Sequence, residues 1–241
     1  MPIESLLLTA VRINTYLGQQ PLTNATGFFF RRGGRLFLVT CRHVMVDEPS
    51  NHIPDSLQIE LHNDPDNLAS SVVFIIPLYN NGNRLWRQAF DHAGEVDVAA
   101  IEIDQAALPE RTAYCAFTDD QLLQVDEQIK VGTSVLVVGF PLGFHDTLHH
   151  MPIARQGMIA SSFGLRFQGQ GFFLTDARTH RGISGAPVVM RRDNANDDVP
   201  WHLLGIHSAR LDVGTRDMEL DEVLGLNCSW YADILLALTE N

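Results

Sequence analysis

Short β-rich runs separated by turn signals fill most of the 241 residues, and this alternation constrains the fold more than any other feature of the chain. Residues 6–16, 26–31 and 36–40 are dense in β-branched and aromatic side chains. Arg32, Gly33, Gly34 and Arg35, between the last two, form the turn of a predicted hairpin. The pattern continues through residues 72–78, 96–103, 134–140, 157–161, 171–175, 187–190 and 203–207. Helical periodicity is scarce, and residues 229–238 have the spacing of a closing helix. Residues 47–67 and 192–199 read as surface loops, and the polar stretch 118–128 as a linker between two β units or a short helix. Many short strands with few helices predict an all-β barrel or sandwich architecture.

A chain of this length can bury a sizeable core, as one domain or as two small ones sharing an interface. Seventeen basic residues against 29 acidic ones give a formal net charge of −12, a field that repels phosphate backbones and anionic lipid, so neither nucleic acid nor membrane is an expected partner. The start, Met1 to Ser5, lacks the basic region of a signal peptide, and no apolar run is long enough for a transmembrane helix. The expectation is a soluble, cytoplasmic protein. Cys41, Cys115 and Cys228 are widely spaced without C-x-x-C units, a pattern of reduced thiols rather than of zinc sites or disulfides.

Chemistry concentrates at Gly182, Ile183, Ser184, Gly185, Ala186 and Pro187, a G-x-S-G-x-P run that places one hydroxyl in a glycine-flanked turn. A serine hydroxyl is a weak nucleophile until a base takes its proton, so a histidine and an orienting carboxylate are required. His43 ends an apolar run, and Asp97 opens another that continues through Val98, Ala99, Ala100 and Ile101. Each feature alone has an ordinary structural reading: a core histidine, a buried strand, a simple turn. Asp91 and Asp104 are rival carboxylates, but neither lies in an equivalent apolar run that would shield it. Cys41, two residues before His43, is either a second nucleophile or a thiol at the end of a core strand. His145 and His149, near Asp146 and His150, have zinc-ligand spacing if helical, whereas Gly143, Thr147 and Pro152 favour a loop. No metal or cofactor is expected.

Taken together, in the order His, Asp, Ser, these motifs resemble those of trypsin-like serine peptidases of the chymotrypsin fold, over almost the whole chain. Thr26, Gly27, Phe28 and Phe29, followed by Val39, Thr40, Cys41, Arg42, His43 and Val44, resemble that family's histidine motif, with Arg42 where a small residue is usual. Residues 138–143 and 156–161 resemble the opening strands of the second barrel in bacterial high-temperature-requirement peptidases. The resemblance implies two six-stranded β-barrels and a short C-terminal helix. Residues 1–117 would form the barrel carrying His43 and Asp97, 118–130 the linker, and 131–241 the barrel carrying Ser184, closed by the helix at about 229–238.

It also implies a serine endopeptidase acting on protein or peptide substrates through an acyl-enzyme. Ser184 would be the nucleophile, His43 the base and Asp97 its orienting group, with the backbone N–H groups of Gly182 and Ser184 as the oxyanion hole. Residues 204–208 resemble the strand lining the S1 pocket, and glutamyl endopeptidases carry histidine and threonine where His207 and Thr179 stand. These imply an acidic or Gln side chain before the scissile bond, while Arg178 at the pocket base disfavours Lys or Arg. Ser208 is expected to support Asp97, and Ser208, Ala209 and Arg210 to pair with the substrate backbone as an added strand. Ile183 stands where zymogens of the trypsin type carry an aspartate for the new N-terminal ammonium, so activity is not expected to depend on that ion pair. An unguarded protease endangers its own cell, which motivates gating by narrow specificity, a regulatory protein partner or a collapsed loop. The alternative is a catalytically silent relative acting as a peptide-binding or regulatory module.

Overall fold

The structure, a computed structural model, describes residues 3–123, 129–192, 198–211 and 225–240. Residues 124–128 of the expected linker and 193–197 of the expected 192–199 loop lie outside the described residues. The first half holds strands β1 (Ala10–Leu17), β2 (Gln20–Arg32), β3 (Arg35–Thr40), β4 (Ser56–His62) and β5 (Ser71–Pro77). It continues with a small ribbon of β6 (Tyr79–Asn80) and β7 (Asn83–Arg84), then β8 (Trp86–Asp91), β9 (Gly94–Ile103) and β10 (Phe117–Thr118). Strands β5, β4, β1, β2, β3, β9 and β8 lie side by side in that order, all antiparallel, and β10 joins β2 in parallel.

The predicted hairpin is the centre of this sheet. Arg32 pairs with Arg35 across Gly33 and Gly34, whose φ values of 57° and 79° give the turn the twist that matches its strands. Phe28, Phe29 and Phe30 are all buried, so β2 is covered on both faces. Phe28 meets Phe117 edge-on at 5.7 Å, and Phe29 meets Tyr114 at 5.1 Å, which places the segment around residues 114–117 over the sheet.

The second half is a closed six-stranded barrel of β11 (Ser134–Gly139), β12 (Ile153–Ile159), β13 (Phe172–Ala177), β14 (Pro187–Arg191), β15 (Trp201–Arg210) and β16 (Leu226–Tyr231). Val135, Val137, Ile159, Phe173, Ile183, Val188 and Leu204 fill it. The architecture is the expected all-β double barrel, with more strands in the first sheet than six.

Local expectations differ in three places. The helix is confined to Ile234–Leu238, because Ser229 and Trp230 belong to β16, where they pair with Phe173 and Phe172. The apolar spacing of Trp230, Ile234, Leu235 and Leu238 runs across the strand-to-helix junction and imitates one longer helix. Within the 47–67 loop, Ser56–His62 forms β4, whose alternation of intermediate and buried residues is that of a half-buried strand. Trp86–Asp91, unassigned from sequence, is β8. The closing helix docks on the first sheet through Arg32, Arg35 and Arg87, which donate to the carbonyls of Leu236, Thr239 and Glu240 at the helix C-terminus. Among the described residues no helix is long and apolar enough to cross a membrane.

Candidate active site

His43 lies in a single helical turn, Arg42–Met45, separated from the end of β3 by Cys41 alone. Asp97 lies on β9, and β9 pairs with β3 up to Thr40 and Ala99, so the ladder itself brings residues 43 and 97 together. Asp97 Oδ2 is 2.8 Å from His43 Nδ1, and Oδ1 accepts the His43 backbone N–H at 2.9 Å. Ser208 Oγ, from β15 in the second barrel, donates to the same Oδ2 at 2.5 Å. Arg42 flanks the turn with its Nε 2.8 Å from Glu95 and its Nη2 3.3 Å from Glu48. The rival carboxylates are engaged elsewhere: Asp91 with Arg166 at 2.9 Å, and Asp104 as a cap on the Ala106 N–H at 3.0 Å.

Burial works against charge on both members of the pair, and their mutual contact outweighs it. The His43 pKa is raised above its ordinary value despite burial, because the Asp97 hydrogen bond and charge favour the imidazolium. The Asp97 pKa is lowered despite burial, by the hydrogen bond and charge of His43 and the Ser208 hydroxyl. Together they hold a carboxylate against Nδ1, and Nε2 has no hydrogen-bond partner among the described residues.

The loop bearing Ser184 alternates used and unused backbone donors. Ile183 N–H reaches His180 O at 3.4 Å, Gly185 N–H donates to His207 O at 2.8 Å, and Ala186 N–H to Ile183 O at 3.0 Å. Among the described residues, the N–H groups of Gly182 and Ser184 have no acceptor. The carbonyl on the other side of the Arg181–Gly182 peptide is held by the Leu142 N–H at 2.6 Å. Gly182 and Gly185 have φ of 89° and 87°, a region that a side chain would strain. Ser184 itself is half-buried, its carbonyl accepts the Thr26 N–H at 2.9 Å, and its Oγ has no hydrogen-bond partner among the described residues.

The model of the trypsin-like peptidase domain matches residues 25–195, more than two thirds of the chain and all three candidate catalytic positions. The chain belongs to the trypsin-like peptidase family. Its fold is similar to that of a serine endoprotease from Yersinia pestis, with a TM-score of 0.56 and 15% identity over 96% of this chain and 61% of that one. The chain thus spans about three fifths of that relative. It is also similar to the Rv3671c protease from M. tuberculosis, at TM-score 0.52 and 16% identity for the active form and 0.51 and 15% for the inactive form. Those two comparisons each cover 97% of this chain, and 80% and 88% of the relative. At such identities the likeness is one of fold. No curated protein matches the chain.

Among the specificity candidates of this trypsin-like peptidase, His207 is buried with its Nδ1 unpartnered, and its pKa is lowered to about 3 by burial and the nearby His43 charge. Thr179 is buried too, and its hydroxyl donates to Asn227 Oδ1 at 2.5 Å. Arg178 is exposed. On β15, the ladder with β14 ends at Ile206, while Ala209 and Arg210 pair with Cys228 and Asn227 of β16.

Local structure bears on two alternatives raised by the sequence. Cys41 is fully buried and its thiol meets His207 O at 3.3 Å. Burial above all, then the charge of Asp97, pushes its pKa well up, which disfavours the thiolate that a nucleophile or a metal ligand requires. Cys41, His43 and Asp97 bring ligand atoms within 4.8 Å of one another, with Asp97 and His43 already bonded to each other. The stretch from His145 to His150 is turn and bend rather than helix, with His145 Nδ1 on Gly143 O at 2.6 Å and His149 Nδ1 on Asp146 at 2.7 Å. Leu142 carried no sequence signal for its contact with Arg181, since its φ of 54° is unusual for leucine.

Proposed function

We propose that this trypsin-like peptidase is a serine endopeptidase in which Ser184, His43 and Asp97 form the catalytic triad and the N–H groups of Gly182 and Ser184 the oxyanion hole. The observation that carries the reading is the pairing of a doubly held His43 with a serine loop in which the N–H groups of Gly182 and Ser184, on either side of Ile183, have no acceptor among the described residues. Ser184 Oγ attacks the peptide carbonyl carbon as His43 Nε2 takes its proton, and the carbonyl oxygen becomes the oxyanion. His43 then returns the proton to the leaving amine as the C–N bond breaks. Water, deprotonated by the same imidazole, releases the acyl group. Each oxyanion donor would contribute on the order of 3 kcal/mol to the transition state.

The same reading gives S1 a preference for Glu or Gln. A neutral His207 imidazole offers one N–H donor in a buried setting, and Thr179, buried too, is the second candidate donor. Residues 208–210, beyond the end of the β14 ladder, would take the substrate backbone as an added strand. Because Ser184 Oγ has no partner among the described residues, turnover is read as gated: a substrate or regulatory partner brings the hydroxyl onto Nε2, as catalytic hydrogen bonds often close only on binding.

The unpartnered hydroxyl also favours the second reading, a silent peptide-binding module. An active-site fluorophosphonate probe separates the two when applied to the wild type and Ser184→Ala. Labelling of the wild type alone, with cleavage after Glu or Gln in a peptide library, is the expected result. Equal labelling of both proteins, or none, assigns the chain to the silent class. Steady turnover of unfolded casein by the isolated chain would remove the gating.

A further inference from the structure

Thr26 is fully buried where β2 meets the second barrel, and it holds four groups at once. Its N–H donates to Ser184 O at 2.9 Å, and its carbonyl accepts the Thr40 hydroxyl at 2.7 Å. Its own hydroxyl donates to Gly182 O at 2.8 Å and accepts the Phe140 N–H at 3.1 Å. One oxygen atom of the first barrel therefore grips two separate pieces of the second. These are the serine loop and the end of the strand that leads to Leu142.

Those two pieces meet again at Arg181, whose carbonyl takes the Leu142 N–H at 2.6 Å. In a planar trans peptide the C=O and N–H point in opposite directions. Holding the Arg181 carbonyl on Leu142 therefore aims the Gly182 N–H the other way, and holding the Gly182 carbonyl on Thr26 fixes the next peptide. Turning the Arg181–Gly182 peptide over would break the Leu142 contact and disturb the Thr26 one. Leu142 reaches Arg181 from a left-handed backbone conformation, φ 54°, in a turn closed by Gly143 N–H on Phe140 O at 2.9 Å. Phe140 is the residue that Thr26 anchors.

We propose that Thr26 is a positioning residue for the oxyanion hole, its hydroxyl locking the Arg181–Gly182–Ile183 backbone and the Phe140–Leu142 turn in the arrangement that presents the Gly182 N–H. This rests on the reading of Gly182 and Ser184 as the oxyanion donors. The role requires a group that both donates and accepts, which serine shares and valine lacks. The site has no slack for a larger residue: a Cβ on Gly139 would lie 2.6 Å from Thr26 Oγ1 and 3.0 Å from its Cγ2.

The test measures phosphonylation of Ser184 by a fluorophosphonate probe over a range of concentrations, with thermal unfolding in parallel, for the wild type, Thr26→Val, Thr26→Ser and Ser184→Ala. The phosphonyl oxygen occupies the place of the oxyanion, so Thr26→Val should lower the saturating rate constant by about tenfold or more while the half-saturating concentration moves less than about threefold. Thr26→Ser should recover to within about threefold of the wild type. A wild-type rate in Thr26→Val, equal losses in the valine and serine variants, or loss of the folded state in Thr26→Val would each overturn the proposal. Labelling of Ser184→Ala at the wild-type rate would instead overturn the triad reading beneath it, and silence of that variant keeps the two questions apart.

Discussion

Asp97 engages His43 with both of its oxygens, Oδ1 at the backbone N–H and Oδ2 at Nδ1. The first contact fixes where the helical turn sits, and the second fixes which ring nitrogen carries the proton. With Nδ1 committed to a carboxylate, Nε2 is the nitrogen left with a lone pair. Ser208 adds a donor to Oδ2, so the carboxylate is held from the first barrel and from the second.

Asp97→Asn keeps the shape but can present an NH₂ toward Nδ1, which forces the proton onto Nε2 and removes the base. The expected loss in kcat is about ten-thousandfold, with the fold retained and thermal stability lowered only by the lost charge pairing with His43. Steady-state kinetics on a peptide substrate check this, and a loss below about tenfold would reduce Asp97 to a structural role.

The acid limb of the activity profile follows from the His43 shift. Catalysis needs the neutral imidazole, and the raised pKa means that kcat/KM should rise with pH through a midpoint above 6.5. The stability consequence has the opposite sense. The imidazolium is favoured in the folded chain, so its contribution is fully present below the unfolded value of 6.5 and is lost as pH rises through the higher folded value. Asp97, with its lowered pKa, contributes stability above 3.8 that is lost as pH falls through its folded value. A pH–rate profile with a midpoint at or below 6.5 would contradict the assignment of His43 as the titrating base.

The fold class was legible because β2, β3 and β9 carry dense runs of β-formers between glycine turns, and Gly33 and Gly34 announce their hairpin. What was illegible depends on partners distant in sequence. Ser229 and Trp230 look helical by local spacing, yet their hydrogen bonds go to Phe172 and Phe173, some 57 residues earlier, and ladder pairing overrides local periodicity. His43 and Asp97 stood out by residue type and surroundings. The roles of Thr26 and Leu142 did not, since a buried threonine hydroxyl and a left-handed leucine leave no mark until the two barrels are brought together.

Gly185 lies tightly packed at that contact. A Cβ there would lie 2.2 Å from both Thr26 O and Thr40 Oγ1 and 3.0 Å from Thr40 Cα, and its φ of 87° would strain any side chain. Backbone cannot yield as a flexible side chain would, so Gly185→Ala should cost about 3 kcal/mol or more. For a chain of this size that lowers Tm by roughly 6–12 °C. Gly18→Ala provides the contrast, with φ of 58° but nothing within 4 Å, and should cost only about 1 kcal/mol of backbone strain. Thermal unfolding of the two variants separates collision from strain. Equal losses would mean that the barrels part easily at this contact.

His207 gives the chain an acid sensitivity distinct from that of the triad. Burial, then the His43 charge, brings its pKa to about 3, against 6.5 in the unfolded chain. Between these values the unfolded chain takes up a proton that the folded one refuses, so stability falls with acidification by up to about 1.4 kcal/mol per pH unit. Above 6.5 the group contributes no pH dependence, and that is the window in which His43 acts, with the opposite sense. His207→Gln is neutral throughout, so urea unfolding at a series of pH values should show a flatter slope between about pH 6.5 and 4 than in the wild type. On the proposed reading, in which His207 serves the S1 pocket, glutamine also changes the donor, so the same variant should lose discrimination between Glu and Ala before the scissile bond by about tenfold. An unchanged acid slope would place the sensitivity in other groups. An unchanged peptide preference, with the slope altered, would leave His207 as a buried core residue outside the pocket.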